Sequence, residues 1–245
     1  MEPASSSGVF DPVAAPSTYE ETIARLGVAI RIGVLGPGVR LPPERELALQ
    51  LGISRSTLRQ ALAVLTGTGH LTALRGRTGG TFVSEQPPVV SVDPFPQERS
   101  RALLDWRMAL ELGTAGLAAD RATDLACERL SEAAQALDDD AVLDDWAAFR
   151  RADAAFHLRL ADAAGSPGLV LAMTRVHGEL SDLFYSLQPS LGLRAACREE
   201  HGEIAEAVAH ADAGAAREAM ARHLIATERA IDGAGLGAYA STSVP

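Results

Sequence analysis

The stretch that follows Ser54 sets Arg55, Ser56, Arg59 and Gln60 on one helical side and Leu58, Ala61, Leu62 and Leu65 on the other. Guanidiniums and hydroxyls on a surface held in place by an apolar face are what phosphates and guanine edges accept from. Arg45 stands just before, where it could brace a phosphate or a base. Arg75, Gly76 and Arg77 fall between two short β-prone runs, where a small residue lets a hairpin tip enter a minor groove. A second set of capable residues lies further along. Asp153 and His157 are four apart, so they share a helix face one turn apart, and His201 and His223 follow on later helices. A carboxylate and three imidazoles converging in a bundle core could bind a divalent metal with coordination positions left open. Each histidine taken alone could also be a packed imidazole, and periodicity does not settle spacing across separate helices. Arg107, four before Glu111 and next to Trp106, is either half of an exposed pair of little worth or a guanidinium turned inward to clamp a carboxylate. Arg150, three before Asp153, shares its face and could also meet an anion.

The elements that must hold these residues are legible. Residues 41–62, LPPERELALQLGISRSTLRQAL, read as two short helices joined by a tight turn. Ala48 lets the helices approach, Gly52 takes the turn and Ile53 pins the second helix. Before them, residues 19–34 show a helical period ended by Gly36-Pro37-Gly38. Pro42-Pro43-Glu44 opens the next helix with proline in its first turn, and Ser54 caps the helix running to about Thr66. Glycines then punctuate strands near 71–74 and 81–83. Residues 16–85 are thus expected to form a winged helix-turn-helix.

Residues 1–15 read as a disordered tail, and residues 86–97, with four prolines, as a linker. Residues 98–232 are expected to be all helical, with helices near 98–121, 123–138, 141–164, 168–187, 194–211 and 213–231. They suit an antiparallel bundle of about six helices, with a loose tail over 233–245. The fold class is mainly α.

A chain of 245 residues can hold two such domains. The formal net charge of −10 argues at first against nucleic acid. Its distribution reverses that: residues 16–86 carry about +3 and the remainder about −13. The local field at a contact face matters more for phosphate binding than the chain total. All 22 basic residues are arginine, which suits a GC-rich bacterial genome better than a chemical need. Cys127 and Cys197 lie far apart without a CxxC partner and read as reduced, buried thiols of a cytoplasmic protein. No apolar run reaches membrane-span length, and the N-terminus lacks a secretory pattern.

The string LPPERELALQLGISRSTLRQALAVLTGTGHLTALRGRTGGTFV resembles the DNA-binding domain of the GntR family of bacterial regulators. That likeness implies DNA contacts by Arg45, Arg55, Thr57 and Arg59, with Gly76 at the wing tip. The chain departs from the pattern at Pro43, where a small polar residue is usual, and in a wing one residue longer than the commonest form. Residues 101–231 resemble the all-helical FCD effector domain of the FadR-like subgroup, through WRMALE, DAAFHLRLADAAG, HGEIAEAVAHAD and AREAMARHL. The resemblance implies a metal held by Asp153, His157, His201 and His223, zinc first, with nickel or manganese as alternatives. It also implies an effector-clamping role for Arg107. His70, His177 and His210 fall outside its pattern, and surface or helix-packing roles are expected for them.

The reading is a homodimeric transcription factor, a repressor that binds an inverted-repeat operator in double-stranded DNA. A small carboxylate in the helical domain would control it. A regulator sensing the metal itself, or a metal-dependent hydrolase joined to a DNA-binding module, are the rival classes. No further carboxylate or serine constellation supports the hydrolase, so an enzyme is not expected.

Overall fold

The computed structural model describes residues 17–74, 76, 79–88, 97–184 and 190–233. The expected tail over 1–15, Arg75, Arg77, most of the 86–97 linker and all but the first residue of the 233–245 tail lie outside the described residues. The N-terminal unit runs α1 (Thr18–Arg31), α2 (Glu44–Leu51), α3 (Arg55–Gly67), β1 (Leu71–Leu74) and β2 (Gly80–Val83). Ser17 opens α1 through a capping box with Glu20. Pro43 stands at the N-cap of α2 and not in its first turn. Gly52 closes α2 with φ +65°, a left-handed conformation that suits glycine. Ser54 then caps α3 by accepting from the Thr57 amide at 3.0 Å. The two strands pair antiparallel from Leu71↔Val83 to Leu74↔Gly80. Leu58, Ala61, Leu62 and Leu65 are buried, and three of them join Leu26, Ile30, Leu41, Leu47, Leu71 and Val83 in one core. The winged helix-turn-helix is therefore as expected.

The C-terminal part is a helical bundle of α4 (Gln97–Arg121), α5 (Asp124–Gln135), α6 (Asp140–Asp144), α7 (Trp146–Ala163), α8 (Pro167–Phe184), α9 (Leu191–Ala209) and α10 (Ala213–Gly233). The helix expected over 141–164 is broken in two. Asp145 leaves helical geometry, and its carboxylate accepts from the Ala147 and Ala148 amides at 2.8 and 3.2 Å, starting α7 afresh. Helix α4 is central and packs against α7, α8, α9 and α10. Its neighbours approach closely because their contact faces are small: Ala115, Ala118, Ala164 and Ala216 are fully buried around Phe156, Leu160, Ile204 and Met220. None of the described helices is long and apolar enough to cross a membrane.

The two parts touch through α1 and α8. Arg31 pairs with Asp182 at 3.3 Å. A Cβ at Gly178 would lie 2.6 Å from the Val28 side chain, so only glycine lets the two helices meet here.

Candidate functional site

On the winged helix, α3 turns Arg55, Ser56, Arg59 and Gln60 to solvent, and α2 exposes Arg45. Thr57 is half-buried, its hydroxyl 2.7 Å from that of Ser54. Ser56 also meets Ser54, at 2.8 Å, so one cap residue orders both hydroxyls. Arg59 Nε donates to Glu44 Oε2 at 2.6 Å, which steadies the guanidinium across the turn while its side chain stays 63% exposed. Gly76 is exposed with φ +109° at the turn between the strands. Arg40, which sequence spacing did not single out, donates from Nη2 to the Gly79 carbonyl at 2.7 Å and lies over the Phe82 ring, bracing the wing.

Inside the bundle, five helices bring polar side chains to one chamber. Asp153 and His157 come from α7, Arg107 and Glu111 from α4, His177 from α8, Cys197, Glu200 and His201 from α9 and His223 from α10. Arg107, Glu111, His157, His177, His201 and His223 are all buried, each at most 3% exposed. His201 Nε2 lies 3.2 Å from His157 Nε2 and 3.4 Å from Asp153 Oδ1, while His157 Nε2 is 3.7 Å from the same oxygen. The His223 ring centroid is 4.5 Å from that of His201 and 5.2 Å from that of His157. The four residues singled out from sequence are therefore neighbours, although their chain positions span three helices.

Charge in this chamber is set by burial first. Burial opposes ionisation of Asp153, but His157, His201 and Arg107 outweigh it and hold the carboxyl below its ordinary range. Burial, with His157 and Arg107 nearby, pushes His223 down to about 3, and burial with His223 pushes His201 well down. For His157 burial is overcome by Glu111 and Asp153, and its pKa rises to about 9. An ionised carboxylate and two neutral buried imidazoles are a donor set that fits a divalent cation of the zinc, nickel or manganese class.

Arg107 is the cation of the chamber. Its Nε donates to Glu111 Oε1 at 2.8 Å and its Nη2 lies 3.3 Å from His223 Nε2, while among the described residues its buried Nη1 has no hydrogen-bond partner. A guanidinium nitrogen withdrawn from water and left unpaired is costly, which an anionic guest would relieve. The exposed-pair alternative for Arg107 and Glu111 is thus excluded. Arg150 is directed elsewhere: its Nη1 donates to the Ser181 carbonyl at 2.8 Å and to the Ser181 hydroxyl at 3.1 Å.

Residues 18–83 match the family model of bacterial regulatory proteins, gntR family, and residues 102–226 match the FCD domain. The chain belongs to the GntR family. It is 34% identical over 222 residues to an L-lactate dehydrogenase operon regulatory protein of Escherichia coli (strain K12), covering 84% of this chain and 83% of that one. It is 38% identical over 164 residues to the HTH-type transcriptional regulator RmpR of Mycobacterium gastri, covering 64% of this chain but 58% of that protein. In fold it is similar to the solved structure of E. coli McbR/YncC, with a TM-score of 0.55 at 21% identity over 90% of this chain and all of that one. GntR-family proteins with an FCD domain are DNA-binding transcriptional regulators and not enzymes.

Within this GntR-family chain, sequence reasoning missed four members of the chamber. Sequence offers Glu111 only as an exposed partner of Arg107, yet it joins Arg107 to His157 Nδ1 at 2.6 Å and to His177 Nε2 at 3.2 Å. His177, expected at the surface or in plain helix packing, is a buried partner of that carboxylate. The physical reason is that α8 lies against α4 and α7, so its inward face meets their polar positions. Glu200 Oε2 lies 3.0 Å from His223 Nδ1. Cys197, read as a plain buried thiol, is half-buried beside Asp153 and His201; Cys127 is half-buried too, and both are free. The readable signal was spacing by four: Arg107/Glu111 and Cys197/His201 repeat the Asp153/His157 interval. His70 and His210 take local roles, His70 with Thr68 and His210 with the Glu206 carbonyl.

Proposed function

We propose that this chain is a homodimeric, ligand-responsive repressor. A small carboxylate bound beside a divalent cation in the helical domain governs its hold on an inverted-repeat operator. Two copies present two α3 helices to half-sites about 34 Å apart, one helical turn of DNA. Arg45, Arg55, Ser56, Thr57 and Arg59 read or clamp the major-groove side. Arg75 and Gly76 belong to the wing, as sequence spacing assigns them. Asp153, His157, His201 and His223 hold the cation, zinc before nickel or manganese. Arg107 takes the effector's carboxylate.

The single observation that carries this reading is the buried Nη1 of Arg107, unpartnered among the described residues, beside an imidazole and carboxylate cluster. A cation supplies Lewis-acid affinity for a second carboxylate oxygen or a neighbouring hydroxyl. Arg107 fixes the orientation, and burial strengthens both by excluding water. The name of the E. coli relative makes L-lactate the first effector to try. Occupation shifts DNA affinity only if the effector prefers one arrangement of the α1/α8 contact over another.

The test is an operator mobility-shift titration with metal-loaded protein and a panel of small hydroxy and keto acids beginning with L-lactate. Release of DNA by one acid, lost in Arg107→Ala, is the expected result. Tighter binding on addition of acid would overturn the repressor direction. An operator affinity indifferent to every acid but set by zinc alone would favour a regulator that senses the ion, the reading to which the same buried donor cluster lends support.

A further inference from the structure

The GntR-family site as read from sequence contains one carboxylate and three imidazoles. In the folded protein a sulfur stands among them. Cys197 precedes His201 by four on α9, and its Sγ lies 3.8 Å from Asp153 Oδ1, 3.9 Å from His201 Nδ1 and 3.7 Å from His223 Nδ1. Asp153, Cys197, His201 and His223 each offer a ligand atom, and the four atoms lie within 4.8 Å of one another. His157 falls instead into a second group with Glu111 and His177. In a tetrahedral zinc site with Zn–S of about 2.3 Å and Zn–N of about 2.0 Å, neighbouring donors are about 3.5 Å apart. The sulfur is within a few tenths of an ångström of that edge to all three partners.

A second observation points the same way. His201 is fully buried, and every polar atom against its ring nitrogens belongs to a residue type that ligates cations. Its Nε2 meets His157 Nε2 and Asp153 Oδ1, and its Nδ1 meets Cys197 Sγ. Among the described residues it has no backbone carbonyl or hydroxyl partner of the kind that satisfies a structural histidine. A buried imidazole surrounded only by donors to a cation is a ligand in waiting.

We propose that Cys197 is a thiolate ligand of the bundle's cation, joining Asp153, His157, His201 and His223. The proposal rests on the metal-binding reading above and adds the donor that selects the ion. A thiolate favours zinc and cobalt over manganese, which carboxylate and water suit better.

The experiment uses the full chain, stripped with chelator and reloaded with cobalt(II). Wild-type protein is expected to show a sulfur-to-cobalt charge-transfer band in the near ultraviolet at one cobalt per chain. Cys197→Ser is expected to lose the band and Cys127→Ser to keep it. Competition titrations should show zinc affinity falling at least roughly tenfold in Cys197→Ser, with manganese affinity within about twofold of wild type. X-ray absorption of zinc-loaded wild type should include a zinc–sulfur shell near about 2.3 Å, a readout independent of how well any variant folds. Visible d–d bands from bound cobalt without the charge-transfer band, or a zinc spectrum without sulfur, overturn the thiolate ligand and leave the metal site standing. Failure to bind any of the three ions overturns both.

Discussion

Arg45, Arg55 and Ser56 stand in water on α2 and α3, whereas Arg107, Glu111, His157, His201 and His223 are shut inside the bundle. The two regions use polar chemistry under opposite rules. An exposed guanidinium costs nothing to keep and acts only when a phosphate or base arrives. A buried one must be compensated at all times, and here Glu111 touches three of the chamber's polar side chains. Exposed residues can therefore be altered with little loss of fold, while residues of the chamber hold together both the structure and the site.

The sharpest way to break this contrast is Glu111→Ala, which strands Arg107 and His157 without their shared counter-charge. It is expected to cost about 3–5 kcal/mol of stability, read by denaturant unfolding. A loss below about 1 kcal/mol would put the chamber under surface rules.

Next in size is the pH dependence of chelator-treated protein. His157 is raised from 6.5 to about 9 in the fold, so its charge stabilises fully below about pH 6.5. That contribution, on the order of a few kcal/mol, is lost as pH rises through 9. Histidine NMR titration should locate the imidazole, and His157→Gln should flatten the alkaline limb of the stability profile.

Arg55→Ala tests the other region. It is expected to cost about 1–3 kcal/mol in specific operator binding while melting temperature and metal content stay at wild-type values. Fluorescence anisotropy and metal analysis on one preparation check both halves. The smallest effect belongs to Glu44→Ala, which frees Arg59. An exposed pair of this kind contributes about 0–1 kcal/mol, so a change in operator affinity without a change in unfolding midpoint is expected.

The winged helix was legible almost residue by residue because its signals are local. Ser54 caps, Gly52 turns, and the Leu58/Leu62/Leu65 stripe faces a core built from nearby segments. The bundle's helices were legible too, except where Asp145 restarts α7 through two amide contacts that helical periodicity does not report. The chamber was legible in part. Asp153 and His157 follow from their interval, and His201 and His223 from family likeness. His177 and Cys197 did not stand out, because contact across helices leaves no local pattern.

What the sequence alone determined is which faces are apolar, where helices begin and end, and which exposed arginines look outward; those depend on interactions a few residues long. What only the tertiary structure decided is who meets whom inside the bundle. Arg107 became a buried cation with one nitrogen unpaired among the described residues, and Cys197 came within 4 Å of three potential ligands. The physical reason is that desolvation and ion pairing depend on distances between helices separated by tens of residues, and those distances exist only once the small-residue faces of α4, α7, α9 and α10 have packed.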